Sequence, residues 1–95
     1  MKLNNLHTTV KEVSATNLFK GEVGTATAIR LKKDGVLNEH ITKTPALLLC
    51  VVGSTTYQDE TKKVIELSPG DYVIIVPNIN HWLEAQVESQ LVLLK

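Results

Sequence analysis

The chain has 95 residues, of which 43% are hydrophobic and 21% are charged, a balance typical of a globular protein and not of a disordered one. Ten basic and ten acidic residues give a formal net charge of zero, which argues against a nucleic-acid-binding protein and against a polybasic membrane-surface protein. This length supports a single domain over residues 1–95, whose modest core an oligomer interface would extend.

Cysteine usage and hydropathy indicate the compartment. Cys50 is the single cysteine and cannot form an internal disulfide, which fits a reducing environment. Residues 1–7 contain no apolar stretch of the kind found in signal peptides. The longest apolar run, Ala46–Val52, has seven residues, whereas a membrane helix needs about 20. We therefore expect a cytoplasmic protein that contacts no membrane.

Most of the chain has the pattern of short β-strands separated by turns. Residues 23–31 alternate with a period of two, and Ala46–Val52 is a continuous apolar run that stops at Gly53. Residues 13–19 form the only candidate helix, but they are short and lack a sustained helical period. The predicted strands are residues 8–13, 23–31, 46–52, 55–58, 62–67, 72–76, 82–87 and 91–94. Eight to ten strands predict an all-β small barrel or jelly roll, since closure removes exposed strand edges.

Several turns have clear sequence signals. Residues 32–35 end in Asp-Gly, and residues 68–71 place Pro69 and Gly70 at the two central positions of a turn. Asp59 and Glu60 are predicted to form the solvated tip of a hairpin between residues 55–58 and 62–67. Trp82 follows His81 directly and is therefore predicted to lie on the opposite, outer face of its strand.

A first motif covers residues 35–53. It begins at Gly35, passes His40, Thr42 and Ala46, and ends at Gly53. This spacing resembles the first motif of the cupin superfamily, which runs Gly, a gap, His-x-His, a short gap, Glu, six residues and Gly. In this alignment His40 takes the position of the first His. Thr42 replaces the second His, and Ala46 replaces the Glu.

A second motif covers residues 70–85, sixteen residues after the first. It resembles the second cupin motif, Gly, five residues, Pro-x-Gly-x-x-His, three residues and Asn. Gly70 and His81 match in register, Pro77 lies one position beyond the family's Pro, and Asn78 and Ala85 replace the Gly and the final Asn. Asn tolerates the left-handed backbone that the replaced Gly suggests. The resemblance implies a small double-stranded β-helix, often paired into dimers through outer strands.

The resemblance implies an incomplete metal site. Cupin metal sites use three His and one Glu on inward strand faces, and this chain retains only His40 and His81. Two imidazoles fall short of the three ligands of catalytic zinc or of the two-His-one-carboxylate set of non-haem iron. His7 or Cys50 is a possible added ligand, although for Cys50 a buried apolar role is the favoured interpretation.

Three functions therefore stay open, and no catalytic residue is assigned. The first is a small-molecule binding or sensing protein whose pocket is lined by His40, Thr42, Ala46 and His81. The second is an atypical metal-dependent enzyme, dioxygenase- or isomerase-like, that holds one divalent ion (iron, manganese, nickel or zinc) through His40 and His81. The third is a non-catalytic dimeric scaffold. We expect a homodimer in each case, since the terminal strand 91–94 is apolar.

Overall fold

The computed structural model describes the backbone of residues 1–95 and every side chain except those of Glu39 and His40. The described chain forms a short 3-10 helix, Leu3–Leu6, followed by nine strands. These are β1 Val13–Lys20, β2 Thr25–Leu31, β3 Val36–His40, β4 Ala46–Val52, β5 Thr55–Asp59, β6 Val64–Leu67, β7 Tyr72–Ile75, β8 His81–Ala85 and β9 Ser89–Leu94. Within the described residues, no helix has the length and apolar character needed to span a bilayer.

The strands form two antiparallel sheets, which confirms the all-β prediction. Sheet A has the order β1-β2-β9-β4-β7, and sheet B has the order β3-β8-β5-β6. The last strand of the chain, β9, lies in the middle of sheet A between β2 and β4. The predicted hairpin of β5 and β6 is also present, with Thr55 paired to Leu67 and Gln58 paired to Val64.

The core lies between the two sheets and follows the period-two alternation of the strands. On β2, Ile29 and Leu31 face inward, and on β4 the inward residues are Ala46, Leu48 and Cys50. Sheet B completes the cluster with inward side chains of β5, β6 and β8. Its members are Tyr57, Leu67, Leu83 and Ala85. Successive side chains of a strand point to opposite faces, so every second residue of β4 enters this core although the whole strand is apolar.

The first predicted strand was misplaced. Residues 8–12 do not belong to a strand, and β1 covers Val13–Lys20, the stretch considered as a helix candidate. The backbone of the preceding segment is held by a side chain, because Arg30 donates hydrogen bonds to the carbonyl oxygens of Thr9 (2.8 Å) and Lys11 (3.0 Å). A backbone satisfied in this way does not need a neighbouring strand.

Left-handed backbone occurs at Gly70 and Asn78, as the turn signals predicted, but also at Lys62, which had been predicted to begin a strand. Asn78 has a φ of 67°, so it adopts the conformation expected of the Gly that it replaces. Gly70 has a φ of 93° in the turn closed by the Asp71 N–H and the Ser68 carbonyl (2.8 Å). Gly53, with a φ of 96°, ends β4. A Cβ at Gly53 would lie 2.5 Å from the Glu88 carbonyl oxygen, whereas a Cβ at Gly70 would meet nothing within 4 Å.

Alanine substitutions at Gly53 and Gly70 are predicted to differ in their cost to stability. Gly70→Ala should cost about 1–2 kcal/mol of unfolding free energy, because only the left-handed backbone is penalised. Gly53→Ala should cost roughly twice as much or more, because its Cβ also meets the backbone before β9. Urea unfolding followed by circular dichroism measures both. Equal losses would show that the contact with Glu88 does not matter.

Candidate functional site

Three of the four predicted pocket residues lie at one end of the barrel. Ala46 is the first residue of β4, His81 is the first residue of β8, and Thr42 lies in the loop that joins β3 to β4. All three are almost fully buried, with exposed fractions of 4%, 2% and 4% for Ala46, His81 and Thr42. The fold therefore brings both motifs to the same end of the molecule.

Loop hydrogen bonds hold this end together. The Asn78 N–H donates to the Thr42 carbonyl at 2.9 Å, which ties the loop before β8 to the loop before β4. Glu60 and Asn80 exchange two further bonds. The Glu60 N–H donates to the Asn80 carbonyl (3.0 Å), and the Asn80 N–H donates to the Glu60 carboxylate (2.9 Å). The loop that positions His81 is thus fixed from two sides.

Tyr57 and Asp59 join His81 in the interior, although neither lies in a predicted motif. The rings of Tyr57 and His81 stack with centroids 5.9 Å apart and an interplanar angle of 24°. Asp59 is the cross-strand partner of His81, and its carboxylate accepts a hydrogen bond from the Tyr57 hydroxyl at 3.0 Å. Burial and this carboxylate raise the pKa of Tyr57, so the phenol stays protonated at neutral pH.

The prediction that Asp59 forms a solvated hairpin tip was wrong, since only 4% of it is exposed. Its carboxylate also accepts hydrogen bonds from the backbone N–H groups of Thr61 (2.9 Å) and Lys63 (3.4 Å) and from the Thr61 hydroxyl. Burial alone would raise the pKa of Asp59, but the hydrogen bonds from Thr61, Tyr57 and Lys63 outweigh it and lower the pKa. Asp59 therefore stays ionised and organises the β5–β6 turn.

The side chain of His40, the fourth predicted pocket residue, lies outside the described residues. β3 pairs with β8, and the register of this pairing shifts between Leu37 and His40. After the shift, His40 and His81 are cross-strand neighbours. No group of three or more His, Cys, Asp or Glu among the described side chains is placed to hold a metal ion. Thr42 and Ala46 supply no imidazole or carboxylate where the resemblance requires one. The described donor set therefore does not fit a cupin metal.

Cys50 and His7 lie away from this end of the barrel. Cys50 is four residues beyond Ala46 on β4, about 13 Å along the strand, and it is fully buried in the core. Burial and the nearby Asp71 carboxylate raise the pKa of the Cys50 thiol, so it is not poised as a thiolate ligand. His7 contacts Ser14 on the opposite side of sheet A, through its Nδ1 and the hydroxyl oxygen at 2.8 Å.

A cleft of about 550 Å³ opens beside the candidate site, between the edge strands β1 and β3. Its floor and walls are largely apolar, and Asn38 and Lys95 add polar groups. Leu93, one of its walls, pairs with Leu48, the next inward residue after Ala46 on β4. Asn38 lies on β3, two residues before His40. The cleft thus occupies the same half of the barrel as the candidate site. It is lined by Val13, Ala15, Thr27, Ile29, Val36, Leu37, Asn38, Leu93 and Lys95.

No protein-family model matches the sequence, and no curated protein matches it. Solved structures are similar along nearly the whole chain. A cupin superfamily protein from Desulfitobacterium hafniense superposes with a TM-score of 0.84 at 12% identity, covering 98% of this chain and 84% of the other. This chain has the cupin fold. A cupin-like protein from Thermotoga maritima gives 0.78 at 24% identity over 87% of this chain and 67% of its own. A cupin-2 domain protein from Shewanella frigidimarina gives 0.81 at 12% identity over 100% and 92%.

The cupin fold explains which sequence signals were informative. Gly70, Asn78 and His81 keep the spacing of the second motif, which spans β7: Gly70 lies in the turn before this strand, Asn78 lies in the turn after it, and His81 begins β8. Tyr57 and Asp59 lie outside both motifs, on β5. The alternation of Thr55, Tyr57 and Asp59 on one face of a half-buried strand was the available signal for their inward orientation.

Asp59→Asn tests the role of the buried carboxylate. At neutral pH we expect a loss on the order of 1 kcal/mol, because the amide cannot accept all the bonds that the carboxylate accepts. Because folding lowers the pKa of Asp59, the ionised carboxylate stabilises the folded protein at pH values above 3.8, the ordinary pKa of this group. That contribution disappears as the pH falls through the lowered value.

The difference between the parent and Asp59→Asn should therefore shrink between pH 7 and pH 3, as measured by urea unfolding. Asp71→Asn is the matched control, since the Asp71 carboxylate accepts one turn hydrogen bond, from the Ser68 N–H at 2.9 Å. If the stability difference between the parent and Asp59→Asn does not change with pH, the ionised Asp59 carboxylate does not stabilise the folded protein as we infer.

Proposed function

We propose that this protein binds a small molecule in the cleft between β1 and β3. The observation that carries this proposal is the cleft itself, whose volume of about 550 Å³ lies within the range of ligand pockets, roughly 300–1,000 Å³. Most of its lining is apolar, and a few polar groups stand at defined positions, which is the usual composition of such pockets.

The lining suggests the chemistry of the ligand. Ile29, Leu37 and Leu93 offer an apolar surface to an alkyl or aryl body. The Lys95 ammonium and the Asn38 amide suit a carboxylate or another hydrogen-bonding head group. We infer a ligand with an apolar body and one anionic or polar end.

Thr42 supports a second polar contact at the end of the barrel, in the loop between β3 and β4. Its hydroxyl oxygen is buried and has no hydrogen-bond partner among the described residues. A buried hydroxyl without a partner costs free energy, and a bound polar atom would recover it. We therefore propose that Thr42, Ala46, His81 and His40 form a polar part of the ligand site that lies outside the lining of the cleft.

Thermal shift with small carboxylates tests the proposal. Aryl and alkyl carboxylates such as phenylbutyrate and octanoate should raise the melting temperature in a saturable way, because a ligand that binds only the folded state stabilises it by mass action. At one hundred times the dissociation constant the gain is about 2.7 kcal/mol.

Ala15→Trp should abolish this stabilisation, since Ala15 is an exposed wall residue on edge strand β1 and an indole would fill the cleft. Ala15→Ser is the matched control and should keep it. Equal shifts in both variants would place binding elsewhere and reject the cleft.

A metal-dependent enzyme is the second candidate, because the backbone pairs His40 with His81. Metal content distinguishes the metal-dependent enzyme from the small-molecule binding protein. It is measured by mass spectrometry of protein expressed without a His-rich tag, before and after metal reloading. We expect substoichiometric metal in the parent and no change on replacing His40 and His81 with Ala. Near-stoichiometric iron, manganese, nickel or zinc that disappears in the double variant would favour the enzyme, provided that circular dichroism shows the β signature retained.

A further inference from the structure

The segment of residues 1–12 lies across part of the outer face of sheet A. Three buried polar residues of neighbouring strands form the row beneath it, and each meets a different part of the segment. The contacts are Ser14 with His7, Arg30 with the carbonyl oxygens of Thr9 and Lys11, and Gln90 with Asn4. The segment and the sheet thus enclose a polar layer that is separate from the core.

A cavity of about 460 Å³ opens where this segment begins, beside the end of β4 and the start of β9. This volume lies within the range of ligand pockets, roughly 300–1,000 Å³. Val52 and Gln90 are cross-strand partners on the outer face of the sheet, whereas the cleft between β1 and β3 lies on the inner face and shares no lining residue with this cavity. The lining consists of Lys2, Leu3, Asn4, Val52, Glu88 and Gln90.

Gln90 is the residue that points to a ligand in this cavity. Only 7% of it is exposed, and its Nε2 donates a hydrogen bond to Asn4 Oδ1 at 3.2 Å. Its Oε1 is buried and has no hydrogen-bond partner among the described residues. An amide oxygen only accepts hydrogen bonds, and leaving it unpaired costs free energy. A bound molecule that presents an N–H group to this oxygen recovers that cost.

The charged residues of the lining define the two ends of the ligand. Glu88 lines the cavity together with Gln90, so a carboxylate and an amide oxygen are both available to one ammonium group. Lys2 supplies an ammonium group that suits a carboxylate. The lining therefore carries one negative and one positive side chain, which complements a zwitterion better than a simple amine or a simple acid.

The remaining lining residues give the ligand its apolar part. Val52 is 52% exposed, although its cross-strand partner Gln90 is buried beneath the segment. Leu3 lines the same cavity from the segment. An apolar group that lies between these two side chains removes their surface from water, which favours binding.

We propose that this cavity binds a free α-amino acid with an aliphatic or aromatic side chain. The ammonium group of the ligand donates hydrogen bonds to Gln90 Oε1 and to the Glu88 carboxylate. Its carboxylate pairs with the Lys2 ammonium, and its side chain packs against Val52 and Leu3. Because the ligand contacts both the segment and the sheet, binding also holds the beginning of the segment in place.

Isothermal titration calorimetry of the full chain with L-leucine, and separately with L-phenylalanine, tests the proposal. We expect saturable binding of one molecule per chain. Glu88→Gln should raise the dissociation constant about tenfold or more, because a hydrogen bond to an ammonium group is weakened when the carboxylate loses its charge. Glu84→Gln is the matched control and should bind as the parent does, since Glu84 is an exposed glutamate on β8 of the other sheet.

Gln90→Met removes the unpaired Oε1 and keeps a side chain of similar length. It should also weaken binding, and circular dichroism shows whether this variant is folded. Hydrogen exchange gives a second measurement on the parent. The Asn5 N–H donates to the Lys2 carbonyl at 3.0 Å, so its exchange should slow when L-leucine holds the segment against the sheet.

The absence of saturable binding of either amino acid, at concentrations up to tens of millimolar, overturns the proposal. Binding that Glu88→Gln leaves unchanged also overturns it, because the ammonium group then lies elsewhere. Ala15→Trp fills the cleft on the inner face of sheet A and should leave amino-acid binding unchanged. Amino-acid binding that Ala15→Trp abolishes belongs to the cleft and overturns this second site. The cleft and this cavity are therefore tested independently.

Discussion

The insertion of β9 between β2 and β4 is the constraint on which the rest of the structure depends. This strand pairs on one side with residues near position 28 and on the other with residues near position 48, so it joins distant parts of the chain. Without it, sheet A would divide into two pieces, and Leu91 would lose its place in the core. Because such contacts are non-local, chain-closure entropy opposes them until the apolar core has formed.

The same strand contributes to the cleft and to the outer face of sheet A. Leu93 points inward and forms a wall of the cleft, whereas Leu94 points outward and is 41% exposed. Adjacent residues of a strand project to opposite faces, so the cleft and the outer face use different side chains of one element.

At the end of the barrel that holds the candidate site, buried polar residues are joined by hydrogen bonds. Asp59 accepts bonds from its own turn and from Tyr57, and Tyr57 stacks against His81. Buried polar groups are tolerated when they are hydrogen-bonded, and here the hydrogen bond to Asp59 also fixes the orientation of the Tyr57 ring. The buried hydroxyl of Thr42 has no such partner among the described residues, and we propose that it contacts a ligand atom.

The sequence alone determined the all-β class, most strand positions and the left-handed turns at Gly70 and Asn78, because these follow from local alternation and backbone preference. The spacing of two partial motifs also predicted a shared site for Thr42, Ala46 and His81, which remains a prediction. The sequence could not identify Asp59 as buried, since its hydrogen-bond partners on Tyr57, Thr61 and Lys63 assemble only when the hairpin packs. It could not show either that β9 lies between β2 and β4, because the pairing partners of β9 are distant in the chain. Strand order and register, which decide these neighbours, arise from non-local packing and are set only in the tertiary structure.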